Sequence, residues 1–182
     1  MMPIVTRADQ GQRWAHTLSR MTTPTVRPYE PRDAGVVLAL NQSHLDAVGP
    51  LDAARQEWLV DMSEACLVVQ DGEELMGFVM TLPPGTVYDS PNYRWFSDRY
   101  DSFSYLDRVV VADSYQRQGI GRLLYDAVEA TAHPRGRIAL EVYAEPPNVG
   151  SLAFHGTRGY VEVGRTTQAN GKVCAMFVKE LR

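Results

Sequence analysis

The sequence predicts an α/β (α+β) fold in which a mixed, mostly antiparallel central sheet of about seven strands is flanked by about four helices. Two hairpin signals, Asp71-Gly72 in the first half of the chain and Asn170-Gly171 near its end, predict antiparallel strand pairs. Between them, strand and helix patterns alternate, which indicates a mixed sheet. The 182 residues, of which 45% are hydrophobic, are enough for one core of this kind.

The first sixty residues predict an extension, one strand and two helices. Residues 1–22 show little periodicity, so we expect an N-terminal extension of uncertain order before a single domain at 23–182. A short first strand is predicted at 25–29. Pro31 then opens the first helix, because proline suits a first helical turn. Apolar residues at helical spacing predict a second helix at 51–63.

Two apolar runs and a ring-rich segment come next. The runs at 66–69 and 75–82 predict the strands of the first hairpin. The stretch from 84 to 103 shows no regular pattern, and long loops of this kind are usually functional or disordered. It contains six aromatic residues: Tyr88, Tyr93, Trp95, Phe96, Tyr100 and Phe103. Two interpretations stay open: an aromatic lid with acids such as Asp98 and Asp101 over a cationic amine, or a loop that covers its own small core.

The second half of the chain alternates strands with helices. Three consecutive valines near position 110 predict a strand at 105–111 that is buried on both faces. Apolar residues from Ile120 onward recur at helical spacing and predict a helix that ends before Pro134. The remaining predicted elements are a strand at 138–143, a short helix that Asn148 caps and Gly159 ends, and strands at 160–168 and 172–179.

Composition narrows the function classes. The formal net charge of -4 argues against a nucleic-acid binder, which usually presents a basic face. No apolar run approaches 18 residues, so no membrane span is predicted, and the N-terminus lacks the apolar core of a secretion signal. Cys66 and Cys174 lie far apart and offer no metal-ligand spacing. We therefore expect a cytoplasmic enzyme without a metal.

A glycine-rich segment, Gln116–Gly121, lies between the strand at 105–111 and the following helix. Glycines let a backbone approach a ligand closely, and free N–H groups at a helix N-terminus bind phosphate. A Walker A loop would need lysine and then serine or threonine after the last glycine, but Arg122 and Leu123 stand there. A dinucleotide-binding motif would need a further glycine where Leu124 stands. Both nucleotide motifs are therefore disfavoured.

The same six residues match the Gln/Arg-x-x-Gly-x-Gly/Ala signature of the GNAT superfamily of N-acetyltransferases. A later segment, Asn148, Ser151 and Phe154 followed by Gly159-Tyr160, resembles the second signature of that family. The resemblance covers about residues 25–180. It implies the GNAT fold and an acetyl-CoA-dependent N-acetyltransferase that acts on a primary amine of a small molecule or peptide, by direct attack through a tetrahedral intermediate.

The resemblance also implies cofactor-binding roles. The strand at Val109, Val110 and Val111 would pair with the pantetheine arm as an added strand, and a backbone N–H near Val109 would stabilise the oxyanion. Asn148 would contact pantetheine and Phe154 would line the channel, while Ser151 has the small size that a first helical turn favours. The residues implied at the pyrophosphate are Gln116, Arg117, Gln118, Gly119, Ile120, Gly121 and Arg122.

Acetyl transfer needs an acid for the leaving thiolate. The family commonly has a tyrosine after the motif phenylalanine, and this chain has His155 there. A histidine has an ordinary pKa that suits an acid near neutral pH. The alternative is a helix residue with a structural hydrogen bond, in which case water protonates the thiolate.

The amine must also lose a proton, and three acids are candidates for the base. By strand alternation Asp107 shares a face with Val109 and Val111, so it is predicted to face the acetyl end. Glu141 stands in an apolar strand, either as a partly buried base with a raised pKa or as a solvated acid. Glu145 follows the end of the same strand. An amine with a low enough pKa would need no dedicated base, and water could then take the proton.

Two other functions compatible with the same fold stay open. One is a non-catalytic acyl-CoA sensor, which the replacement of the usual tyrosine by His155 keeps in view. The other is an acyltransferase that uses a longer acyl-CoA. A homodimer through the edge of the C-terminal hairpin is a further expectation.

Overall fold

The computed structural model describes residues 23–182, so the predicted extension at 1–22 lies outside the described residues. In this part of the chain seven strands form one sheet in the order β1-β2-β3-β4-β5-β7-β6. Every neighbouring pair is antiparallel except β4 and β5, which are parallel. The strands are β1 (Thr25–Pro28), β2 (Ala65–Asp71), β3 (Glu74–Leu82), β4 (Ser104–Val111), β5 (Arg137–Glu145), β6 (Val161–Thr167) and β7 (Val173–Glu180). The predicted mixed, mostly antiparallel sheet is confirmed.

Six α-helices accompany the sheet within residues 23–182, rather than about four. They are α1 (Ala34–Gln42), α2 (Leu45–Val48), α3 (Ala53–Met62), α4 (Pro91–Ser97), α5 (Ile120–Ala132) and α6 (Val149–Thr157). The two additional helices, α2 and α4, are too short to show a helical period. Helix α4 corrects the prediction of an irregular stretch at 84–103. Its start has ordinary signals, because Ser90 caps it by accepting from the Tyr93 N–H, and Pro91 occupies the first turn.

The helices cover the two faces of the sheet. Helices α1, α3 and α4 pack on one face, and α5 and α6 pack on the other. Tyr93, Phe96 and Phe103 are at most 2% exposed and belong to the first of these cores. The ring-rich segment therefore covers its own core, which is the second of the two interpretations above.

The sheet opens between β4 and β5. These strands pair only at Ser104 with Ile138 and Tyr105 with Ala139, although β4 continues to Val111 and β5 to Glu145. Strand β4 also carries a bulge, since Met80 pairs with Arg108 while the next residue, Thr81, pairs with Leu106. The β5 side of β4 beyond Tyr105 therefore has backbone groups without a strand partner.

Two further expectations concern the surface. None of the helices in residues 23–182 has the length and apolar character to cross a membrane. Strand β6 forms one edge of the sheet, which is the edge on which the expected homodimer rests, and the homodimer stays a prediction.

Candidate active site

A cleft of about 600 Å³ lies where β4 and β5 separate. The N-terminal ends of α5 and α6 bound it at one side, and Asn92 of α4 and His44, just before α2, reach it from the other face of the sheet. The cleft has three parts along its length: a glycine-rich end, a middle section beside β4, and an acidic end.

The glycine-rich end contains much of the predicted phosphate cradle. Gln116, Arg117, Gly119, Gly121 and Arg122 line it. Arg117 and Gly119 adopt left-handed backbone conformations, with φ of 61° and 87°, which turns the chain sharply before α5 begins. Gly119 is the N-cap of α5 and provides no side-chain acceptor, so first-turn N–H groups of α5 remain available to an anion.

Two residues of the predicted cradle keep their side chains out of the cleft. Gln118 donates from Nε2 to the carbonyl oxygen of Ser114 at 2.7 Å, and Ile120 is 2% exposed in the core under α5. Any contribution of these two residues to anion binding is therefore confined to the backbone, as the expected use of N–H groups requires.

The middle section brings β4 and α6 together. Val109, Val110 and Val111 line the cleft opposite Asn148, Ser151 and Phe154. Asn148 caps α6 as predicted, because its Oδ1 accepts from the Ser151 N–H at 3.1 Å. The unpaired edge of β4, the open first turn of α5 and the size of the cleft fit an extended ligand that carries a phosphate at one end.

His155 lies in the wall of this section and is 3% exposed. Its Nδ1 lies 2.7 Å from the Ser151 carbonyl oxygen, so Nδ1 carries the proton. Its Nε2 then accepts from the Tyr125 hydroxyl at 2.6 Å. Burial lowers the pKa of His155 to about 4. The imidazole is therefore neutral at physiological pH and has both nitrogens engaged.

The acidic end centres on Glu141, which is partly exposed to the cleft. Its Oε1 accepts from Nδ2 of Asn92 at 2.8 Å, and its Oε2 accepts from the Tyr105 hydroxyl at 2.7 Å. Burial raises the pKa of Glu141 to about 7. The two hydrogen bonds act against this rise because they stabilise the carboxylate, and the nearby charge of Asp107 adds to it.

Asp107 occupies the bulge of β4, with a side chain that is 7% exposed. Its Oδ1 accepts from the Tyr88 hydroxyl at 2.6 Å, while its Oδ2 lies 3.2 Å from Nε of Arg108 without hydrogen-bond geometry. Burial raises the pKa of Asp107, and the positive charge of Arg108 opposes that rise. The bulge interrupts the alternation on which the predicted common face rested. Asp107 therefore contacts Tyr88 on the α4 side, whereas Val109 packs on the α5 side.

Sequence reasoning missed three side chains that shape the site, Asn92, Tyr105 and Tyr125, and it considered Tyr88 only as a ring of the aromatic segment. Each one is a hydroxyl or amide inside a segment that reads as core or loop, and its role depends on a partner distant in sequence. The available signal was the polar group itself, since a buried tyrosine hydroxyl usually has a hydrogen-bond partner.

A comparison with protein families identifies the class of protein. The acetyltransferase (GNAT) family matches residues 37–160, which is more than half of the chain. The chain therefore belongs to the GNAT acetyltransferase family, and the predicted family is confirmed. Enzymes of this family use acetyl-CoA and acetylate amine acceptors. Comparison with curated proteins gives no match.

Solved structures agree on the fold. Ard1 from Thermoplasma volcanium is 16% identical with a TM-score of 0.71, over 88% of this chain and 99% of that chain. An acetyltransferase of the GNAT family from Streptococcus pneumoniae is 18% identical with a TM-score of 0.65, over 87% and 99%. The yncA protein from Salmonella typhimurium, solved with its cofactor acetyl-CoA, is 15% identical with a TM-score of 0.68, over 88% and 95%.

Metal chemistry was not expected from the sequence. Among the described residues, no group of three or more histidine, cysteine, aspartate or glutamate side chains lies close enough together to hold a metal ion. The expectation of an enzyme without a metal stays a prediction.

Proposed function

We propose that this protein transfers the acetyl group of acetyl-CoA directly to a primary amine of a small molecule or peptide, with Glu141 as the general base. The observation that carries the proposal is the partly buried carboxyl of Glu141 at the acidic end of the cleft, with a pKa of about 7. A base is most effective when its pKa lies near the working pH.

The opposite end of the cleft supports the cofactor assignment. Open first-turn N–H groups of α5 and the flanking Arg117 and Arg122 suit the pyrophosphate. The unpaired edge of β4 at Val109–Val111 suits pantetheine, whose amides can pair with a strand. Bound acetyl-CoA would supply a thioester near the point where β4 and β5 separate, and Glu141 lies beyond that point on β5.

The chemistry follows from this arrangement. The amine nitrogen attacks the thioester carbonyl carbon, so that a C–N bond forms and the carbonyl oxygen becomes an oxyanion. Glu141 takes the proton that the amine nitrogen must lose, and the backbone N–H near Val109 donates to the oxyanion. Collapse of the tetrahedral intermediate restores the carbonyl and breaks the C–S bond. The thiolate that leaves takes up one proton.

We do not assign His155 as the general acid that protonates the leaving thiolate. The imidazole is neutral, and its Nε2 accepts a hydrogen bond from the Tyr125 hydroxyl, so it has no proton to donate. Burial also raises the pKa of Tyr125, which makes its hydroxyl a poor proton donor. We assign His155 to holding the Tyr125 hydroxyl at the wall of the cleft, and we assign protonation of the thiolate to water.

Asp107 is the second carboxylate of the acidic end. It contacts Tyr88 and lies beside Arg108, and it raises the pKa of Glu141. We assign Asp107 to tuning Glu141 and to attracting the cationic form of the amine. A direct role as base is the weaker alternative, because Arg108 and the Tyr88 hydroxyl both stabilise its charged form.

The test is release of coenzyme A from acetyl-CoA with a panel of small amines and peptide N-termini, for the native protein and for Glu141→Gln. We expect turnover with at least one amine and a large loss in the variant. Tight acetyl-CoA binding without turnover on any amine would favour the sensor. Faster turnover with a longer acyl-CoA would favour an acyltransferase that uses that longer acyl group. Full activity of Glu141→Gln would contradict the assigned base.

A further inference from the structure

We propose that Asn92, held in one orientation by Gln168 of the C-terminal hairpin, is a positioning residue that keeps Glu141 ready to act as a base. The inference rests on the proposed function, because it concerns the residue that is assigned there as the base. Asn92 lies on α4 and Gln168 directly follows β6, so the contact joins two elements that are far apart in sequence.

The hydrogen bonds determine which way the Asn92 amide faces. Its Oδ1 accepts from Nε2 of Gln168 at 2.9 Å and from the Thr166 hydroxyl at 3.3 Å. Its Nδ2 is therefore directed to Oε1 of Glu141, at 2.8 Å. Gln168 Nε2 also donates to the Thr166 hydroxyl oxygen at 2.9 Å, and that hydroxyl donates to Oδ1 of Asn92, so two donors converge on the same amide oxygen.

The orientation of Asn92 is coupled to the proton on Glu141. A carboxylate can only accept, so an ionised Glu141 requires the Nδ2 side of the Asn92 amide. If the amide turned over, its oxygen would face Oε1 of Glu141, and that contact would be favourable only with a proton on the carboxyl. Gln168 therefore selects the amide orientation that stabilises the carboxylate.

Helix α4 is itself held firmly against the hairpin. Trp95 follows Asn92 by one helical turn and packs on Gly164 of β6, where an added Cβ would lie 2.6 Å from Cζ2 of Trp95. Asn92 is 7% exposed. The contact of Trp95 with Gly164 and that of Asn92 with Gln168 lie on one side of α4, and together they restrict movement of the Asn92 amide relative to Glu141.

The other titratable groups near Glu141 do not have two distinct orientations of this kind. Tyr105 and Asp107 approach from β4, Tyr143 lies on β5 itself, and Cys174 approaches from β7. The Tyr105 hydroxyl can rotate to accept or donate, so it adapts to either protonation state of Glu141. Asn92 cannot adapt in that way without turning its amide over.

The experiment compares Gln168→Glu with Thr167→Glu. The carboxylate introduced by Gln168→Glu would accept from Asn92 and favour the turned amide. Thr167 is exposed and alternates to the other side of the strand, so its variant adds the same charge without that contact. Gln168→Met removes the donor without adding a charge. The readouts are the pH profile of kcat/KM and the carbon-13 carboxyl titration of Glu141, assigned by its absence in Glu141→Gln.

We expect Gln168→Glu to move the acidic limb of the profile upward, so that kcat/KM at about pH 6 falls roughly tenfold while the plateau at about pH 9 changes less than about twofold. Gln168→Met should move it in the same direction by a smaller amount. The Thr167→Glu effect should be smaller and should vanish at about 0.5 M salt, where exposed charges are screened.

Equal and salt-sensitive shifts in Gln168→Glu and Thr167→Glu would overturn the inference, because charge alone would then explain them. An unmoved Glu141 carboxyl titration in both Gln168 variants would overturn it as well. Failure of the proposed function looks different: Glu141→Gln would be fully active, yet the carbon-13 titration would still report whether Gln168 controls Glu141.

Discussion

Replacing Glu141 by glutamine should abolish most of the activity and at the same time stabilise the fold. The carboxyl is held in surroundings that oppose its ionisation, and its pKa rises from the ordinary 4.5 to about 7. Glutamine keeps the shape and never ionises. Its oxygen can accept from Asn92, and its amide can donate to the Tyr105 oxygen, so both existing contacts survive in the variant.

The magnitude follows from the pKa. Because the folded state binds the proton of Glu141 more tightly than the unfolded chain does, this group favours folding below about pH 4.5. That contribution is lost as the pH rises through about 7. Above that pH the ionised carboxyl costs the folded state about 3 kcal/mol. We therefore expect Glu141→Gln to exceed the native protein in stability by up to about 3 kcal/mol at about pH 8, and by little at about pH 4.

Two assays check both halves of the prediction. Urea unfolding at the two pH values measures the stability difference, and coenzyme A release should fall by about 10²- to 10⁴-fold, the usual contribution of a general base. Asp98→Asn is the matched control, because Asp98 is exposed and does not line the cleft. It should change neither KM nor the rate of coenzyme A release. A variant of Glu141 that is less stable at about pH 8, or equally active, would refute the reasoning.

Three more outcomes are expected. Gly164→Ala should destabilise the protein by about 1–3 kcal/mol and reduce activity, measured by urea unfolding and coenzyme A release, because its Cβ would meet Trp95. Gly119→Ala should lower the free energy of unfolding by about 1–2 kcal/mol, because position 119 has a positive φ, whereas Gly121→Ala should unfold like the native protein. Calorimetric titration should show weaker acetyl-CoA binding in both Gly119→Ala and Gly121→Ala. Since the pKa of His155 is lowered to about 4, its neutral form contributes about 3 kcal/mol that is lost as the pH falls from about 6.5 to 4. His155→Gln should flatten that part of the curve of stability against pH.

Local signals in the sequence predicted most of the fold. The turn at Asn170-Gly171 predicted the β6–β7 hairpin, and the apolar period from Ile120 predicted helix α5 with its observed start. These features depend on residues within a few positions of one another, which is why they can be read from one chain. Helix α4 was not predicted, because its seven residues cover only two turns and are too few to show a helical period.

The candidate site divides in the same way. The glycine-rich end could be predicted from the sequence because its glycines are close together and precede a helix, so sequence order alone brings them together. The acidic end could be predicted only in part. Glu141 and Asp107 stood out as acids among apolar residues, but the bulge that redirects Asp107 depends on the register between β3 and β4. The donors to Glu141 come from α4 and β4, 49 and 36 residues away. No local pattern marks such partners.

The separation of β4 from β5 explains why the cradle and the base occur in one cleft. If the two strands paired along their full length, the β4 edge at Val109–Val111 would be occupied, and Glu141 would be surrounded by sheet. Because pairing stops at Tyr105 and Ala139, one edge becomes free for an extended ligand, and a carboxyl of the facing strand opens onto the same gap. Glu141 keeps its raised pKa because burial beside the gap and the nearby charge of Asp107 oppose its ionisation, while the hydrogen bonds from Asn92 and Tyr105 limit the rise. Widening this end of the cleft should therefore lower the pKa of Glu141 before it affects binding at the glycine-rich end.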